Sequence, residues 1–180
     1  LCSKNNIILI EDNCESLGAK FLNTYTGTIG LMGSFSTFFS HHISTMEGGV
    51  ILTDDEELYH IILSLRAHGW TRNLPSQNLL TGVKDKDPFN ESFKFILPGY
   101  NLRPLEFSAA IGLEQIKKIN SIVEGRRKNA QVFEELFNNH RFLRIQEEIS
   151  KSSWFGFSFI IKDNYISRDK ILNLFLKNGI

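Results

Sequence analysis

Cysteine is scarce in this chain of 180 residues, with Cys2 and Cys14 the whole supply. Two thiols cannot build a disulfide framework, and an expected strand separates them instead of a short metal-ligand spacing. That excludes a cysteine metal site and favours a reducing compartment. Neither sign of charge is in excess, because 20 Lys and Arg balance 20 Asp and Glu. With no basic run, a nucleic-acid partner is not expected. Apolar runs of the ~20 residues needed to span a bilayer are missing too, so the chain is read as without a membrane segment and as cytoplasmic. Repeats and low-complexity tracts are absent. A narrower absence matters most: no lysine stands between Lys20 and Lys84.

What is present reads as alternating strands and helices. Ile7 to Ile10 is a continuous apolar run closed by Glu11 and Asp12, the pattern of a strand buried on both faces of a parallel sheet, with its terminal carboxylates facing a cleft. Further strands are expected over Ser34 to Phe39 and Gly49 to Thr53. Asp54 then suits the cap of a helix running to Arg66, with Leu58, Ile61, Ile62 and Leu65 as its buried stripe. His68 to Gly99 reads as one long polar connection holding Pro75, Pro88 and Pro98.

Pro104 suits a first helical position, and a longer helix follows from Ile122 to Phe137, with Arg126, Arg127 and Lys128 on a solvated face. Trp154 to Ile161 alternates like a strand, and Ser167 caps a last helix. The class is α/β or mixed α+β, divided near residue 125 into units 1–125 and 126–180. The chain opens at Leu1 on a helix end running into a strand and stops after a helix at Asn178-Gly179, so it is read as an excerpt of a longer protein.

Chemistry-bearing residues gather near the strand ends. Asp12 and Glu15 follow the first strand, and Ser36 lies in the second with His41 just beyond it. Glu47-Gly48-Gly49 and His68-Gly69 come next. Taken singly, each has a plain structural role as turn, cap or surface residue. The glycines of Glu47-Gly48-Gly49 suit a tight turn rather than chemistry.

Taken in order, IIEDNCESLGAK, SFSTFF, HHISTMEGGVILTDDEEL, LRAHGW and GYNLRPLE resemble the DegT/DnrJ/EryC sugar aminotransferases. The resemblance implies the pyridoxal-phosphate (PLP)-dependent transferase fold type I (aspartate aminotransferase-like), with part of the large cofactor-binding domain and the start of the small domain. Ordinary members of that family hold the cofactor covalently on a lysine six residues before the glutamate of Glu-Gly-Gly. Six residues before Glu47 stands His41. An imidazole exchanges protons near neutral pH but cannot form the stable covalent link that an amine forms.

Histidine at this place is similar to the family's sugar 3-dehydratases, and SHHISTMEGG with RAHGWTRNLP resembles those acting on a GDP-linked keto-sugar. A related type adds an iron–sulfur cluster through a cysteine-rich segment, which TRNLPSQNLLTGVKDKDPF lacks.

The resemblance then implies roles. His41 is the general base and acid, and His42 serves packing or orientation. Asp12 pairs with the cofactor's ring nitrogen, Glu15 lies near its ring hydroxyl, and Ser36 binds its phosphate. Asn101, with Arg103, reaches the cofactor phosphate of a neighbouring subunit, which implies a homodimer with shared sites. His68, Arg72 and Arg103 contact substrate. The implied cofactor is pyridoxamine 5'-phosphate, regenerated from PLP by glutamate, and the implied substrate is a nucleotide-linked keto-sugar. A sugar aminotransferase and a catalytically silent relative are the alternatives.

Overall fold

The structure is a computed structural model that describes residues 1–162 and 166–180. A short 3-10 turn, Ser3–Asn5, precedes strand β1, Ile10–Asp12. Two small strands, β2 (Lys20–Phe21) and β3 (Thr24–Tyr25), form a hairpin before β4 (Met32–Ser36) and β5 (Gly49–Leu52). The central sheet has the order β1-β4-β5: β1 runs parallel to β4 with Asp12 opposite Ser34, and β5 runs antiparallel to β4 with Gly49 opposite Ser36. The end of β1, the end of β4 and the start of β5 therefore lie together at one edge of the sheet.

Two expectations about β1 are corrected. Ile7, Ile8 and Leu9 precede the strand, and Ile7, Ile8 and Ile10 are more than half exposed, because no described element of this chain covers them. Asp12 and Glu11 also do not share a cleft. Successive strand side chains face opposite ways, and Glu11 turns to the backbone of residues 27–30, accepting N–H bonds from Gly27, Ile29 and Gly30, each at 2.7 Å.

Helix α1, Glu56–Leu65, is capped by Asp55 rather than Asp54, with the carboxylate accepting from the Leu58 amide at 2.8 Å. Its buried residues are His60 and Ser64, while the expected stripe of Leu58, Ile61, Ile62 and Leu65 is only half-buried. His60 is tolerated inside because its Nδ1 accepts from the Leu79 amide at 3.3 Å.

The stretch from 68 to 99 is folded rather than a loose connection. It carries the hairpin β6 (Gln77–Asn78) and β7 (Gly82–Val83) and the short helix α2 (Pro88–Ser92). The Asn78 side chain organises the hairpin by accepting from the amides of Leu80 and Thr81, a polar turn chemistry that hydrophobic periodicity does not register.

Helix α3, Glu106–Ile116, starts after Leu105, so Pro104 precedes its cap instead of opening it. Helix α4, Ile119–Phe137, runs unbroken through residues 125 and 126. It buries Val123 and Ala130, and Lys128 is exposed, but Arg126 and Arg127 are not on a solvated face. Both are half-buried and spend their donors on carbonyls of distant chain, as described below. Strands β8 (Leu143–Ile145) and β9 (Phe159–Ile161) pair antiparallel beside α4. Of the strand expected from Trp154, only Phe159–Ile161 forms, since Trp154 itself adopts φ +50°, outside strand geometry. Helix α5, Arg168–Lys177, is capped by Ser167 as the sequence suggests.

Candidate active site

The Glu47-Gly48-Gly49 turn sets the sheet edge. Gly48 has φ +148°, and a Cβ there would lie 2.8 Å from Thr37 Oγ1 and 2.9 Å from Thr45 Oγ1. Only glycine meets both demands. Its carbonyl accepts from the Thr37 amide at 3.0 Å, and the two threonine hydroxyls lie 2.7 Å apart. These bonds close the loop that carries His41 back onto the end of β4.

Asp12 is exposed at the end of β1. Its carboxyl is held below the usual carboxylate range, first by the Cys14 thiol and then by the Cys14 amide, which donates to Oδ1 at 3.2 Å. The same contact, with burial, pushes the Cys14 thiol up, so Cys14 stays protonated and is no nucleophile. Glu15 is exposed, and no hydrogen bond from its side chain occurs among the described residues. At Ser36, Oγ accepts from the Phe38 amide at 3.2 Å. Its own O–H is left able to donate to an anion.

His41 is half-buried after β4, its amide bonded to the Phe38 carbonyl at 3.0 Å. Its ring sits 5.1 Å from the Phe155 ring and 6.0 Å from that of Phe38, and its Nδ1 is buried without a hydrogen-bond partner among the described residues. His42 differs: it is buried, its Nε2 lies 3.1 Å from the Ser153 carbonyl, and burial pushes its pKa down, with the charges of Arg126 and His41 acting the same way. The ring therefore stays neutral and donates through Nε2, the behaviour of a packing histidine.

The other expected site residues form a second group. Asn101 bridges to Ala67, Tyr100 donates to the Leu65 carbonyl, and the His68 amide donates to the Tyr100 carbonyl at 2.8 Å. Around the Trp70 ring stand the Arg72 guanidinium at 4.3 Å, that of Arg103 at 5.8 Å and the His68 ring at 5.3 Å, with Arg103 Nη2 lying 3.4 Å from His68 Nε2. This is a cationic, aromatic patch of the kind that receives phosphate groups. Among the described residues no hydrogen bond joins it to Asp12, Ser36 or His41.

Two arginines expected on a solvated face instead tie distant segments of chain together. Arg126 Nη1 donates to the carbonyls of Trp154 at 3.1 Å and Phe155 at 2.8 Å, and Arg127 donates to those of Ser152 at 2.9 Å and Gly18 at 3.0 Å. No local pattern announces a bond across such separations. For Glu11 a signal did exist, since its alternation with Asp12 already placed the two carboxylates on opposite faces.

Known proteins share much of this sequence and its fold. GDP-4-keto-6-deoxy-D-mannose 3-dehydratase of Yersinia pseudotuberculosis is 59% identical over 176 residues, which is 97% of this chain and 45% of that protein. A solved Escherichia coli GDP-4-keto-6-deoxy-D-mannose 3-dehydratase with bound hydrated PLP superposes with a TM-score of 0.96 at 58% identity, covering 99% of this chain and 46% of that one. A further structure of that enzyme type, holding a trapped PLP-glutamate geminal diamine, also gives 0.96 at 58% identity, covering 99% of this chain and 47% of the other. The chain thus spans a little under half the length of these relatives, and its fold is that of the corresponding part of the PLP-dependent aminotransferases. The family model for the DegT/DnrJ/EryC1/StrS aminotransferases matches residues 1–180, and this chain belongs to that family.

Proposed function

We propose that the protein containing this chain is a pyridoxamine-phosphate-dependent dehydratase that removes the 3-hydroxyl of GDP-4-keto-6-deoxy-D-mannose, serving deoxy-sugar synthesis of the colitose type. One observation carries the reading: His41 occupies the place six residues before Glu47, in a stretch with no lysine between Lys20 and Lys84, at a sheet edge that also presents Asp12 and Ser36.

These residues suit the cofactor. Asp12, held anionic, would keep a pyridine nitrogen protonated, with Glu15 beside the ring. Ser36 would donate its free O–H to the phosphate. When bound, pyridoxamine phosphate supplies an amine to condense with the sugar ketone and a ring that accepts electron density. His41 holds and moves the proton, and its buried Nδ1 leaves Nε2 for the exchange with the departing 3-hydroxyl. Glutamate is the reductant. In the overall balance, keto-sugar and glutamate give the 3-deoxy keto-sugar, 2-oxoglutarate and ammonia, with two electrons passing from glutamate to the sugar.

The separate patch of His68, Arg72, Asn101 and Arg103 suits a site completed by a second subunit, with Asn101 and Arg103 meeting the neighbour's phosphate in a cytoplasmic homodimer. Residues 1–125 would then belong to the large domain and 126–180 to the small one, α4 passing from one to the other.

The test supplies the full-length protein with PLP, glutamate and GDP-4-keto-6-deoxymannose and weighs the sugar product. A 3-deoxy keto-sugar with free ammonia is expected, and the His41→Asn variant should make none. An amino sugar would replace this reading with that of an aminotransferase, and unchanged turnover by His41→Asn would remove His41 from its role.

A further inference from the structure

A histidine that exchanges protons is usually held in orientation by a hydrogen bond at its second nitrogen, commonly to a carboxylate or carbonyl. His41 has none at Nδ1 among the described residues, and that atom is buried. What fixes the ring must be packing, and two aromatic side chains supply it: Phe38, from the same loop, and Phe155, from 114 residues further along the chain, whose ring lies 5.1 Å away at 44°.

Phe155 is itself held with unusual care. Trp154, just before it, takes a left-handed φ of +50°, a conformation that is strained for a bulky residue and persists only where surroundings dictate it. The surroundings are visible. The Trp154 ring is buried, Arg126 binds the carbonyls of Trp154 and Phe155 while lying 5.8 Å from the Phe155 ring, and His42 takes the Ser153 carbonyl. Arg127 takes the Ser152 carbonyl, and Lys151 pairs with Lys20 through both backbone bonds. Four consecutive carbonyls, from Ser152 to Phe155, are thereby captured by side chains of α4 and of the His41 loop.

We propose that Phe155 is a positioning residue for His41, and that Arg126 acts through it by fixing the strained turn that presents the ring. The inference rests on the role given to His41 above but has a readout independent of it. Diethyl pyrocarbonate modifies neutral, accessible imidazoles, so the rate at which His41 is carbethoxylated, followed by peptide mass spectrometry without sugar or glutamate, reports how tightly the ring is packed.

In the full-length protein, Phe155→Leu should raise that rate at least threefold relative to an exposed reference such as His140. It should also lower kcat for deoxygenation by about 10- to 100-fold, the loss associated with misplacing a reacting group by about 1 Å, with KM within about twofold. Phe155→Tyr, which keeps the ring, should restore most of both. A Leu variant with wild-type modification rate and wild-type kcat overturns the proposal, as does a Tyr variant no better than Leu. If wild type instead makes no deoxy sugar, the functional reading fails while the modification rates still decide whether Phe155 holds His41.

Discussion

Glu11→Gln isolates one side chain's contribution to the frame of the site. Glu11 takes three backbone N–H groups at 2.7 Å: Gly27 on Oε2, and Ile29 and Gly30 on Oε1. Glutamine nearly preserves the shape, but it keeps one acceptor oxygen and turns the other position into an NH2 facing a backbone donor. The loss is one charge-assisted bond, about 2 kcal/mol, plus the weakening of the other two to neutral strength, about 1 kcal/mol together. Because the side chain is half-buried, water recovers part of this, leaving ~2 kcal/mol. That corresponds to a roughly 30-fold larger open population of the 27–30 loop, and so to exchange faster by about that factor.

Hydrogen–deuterium exchange of the peptide covering residues 27–30, corrected for intrinsic rates, measures it. The pH dependence gives a second check. Burial raises the Glu11 pKa, but the N–H groups of Gly30, Gly27 and Ile29 together outweigh it and hold the carboxyl below its ordinary 4.5. A depressed folded-state pKa gives stability that is present above 4.5 and lost as pH falls through the folded value. Glutamine does not titrate, so the gap between wild type and variant should close in acid. Equal exchange at neutral pH, or a gap that persists unchanged in strong acid, would refute the reasoning.

Arg127→Lys should lower unfolding free energy by about 2 kcal/mol in chemical denaturation, because an ammonium cannot bridge the Ser152 and Gly18 carbonyls as the guanidinium fork does. Gly69→Ala should abolish soluble protein or lower Tm sharply, since Gly69 has φ +81° and an added Cβ would run into the Leu97 backbone carbonyl. His42 has its pKa depressed below 6.5, first by burial, so the stability it confers is intact above 6.5 and lost as pH falls from there toward its folded value. His42→Gln, which keeps an N–H for the Ser153 carbonyl, should therefore lose less Tm than wild type between pH 7 and 5.

The residues proposed for the site were named from the sequence one by one. Asp12 and Ser36 end strands β1 and β4, His41 follows in the loop after β4, and the β1-β4-β5 order brings those strand ends to one edge. The Glu47-Gly48-Gly49 turn was equally plain, because a glycine pair between strands has few other uses. Less legible were the elements held by polar chemistry. The 68–99 stretch contains no hydrophobic period, yet Asn78 and the Asp87 cap of α2 give it form through side-chain bonds to backbone. The stripe of α1 misled because periodicity tells which residues share a face, not which neighbour this chain provides for it.

The sequence by itself placed a histidine six residues before Glu47, in a stretch without a lysine from 21 to 83. It also determined the alternation of strands and helices, since side-chain period and caps are local properties. Only the tertiary structure decided that Arg126 and Arg127 face inward, that Trp154 breaks the expected strand, and that Phe155 lies against His41. The physical reason is the same in each case. A backbone carbonyl accepts from any donor that folding brings within ~3 Å, and no local pattern records which distant guanidinium or ring will arrive there.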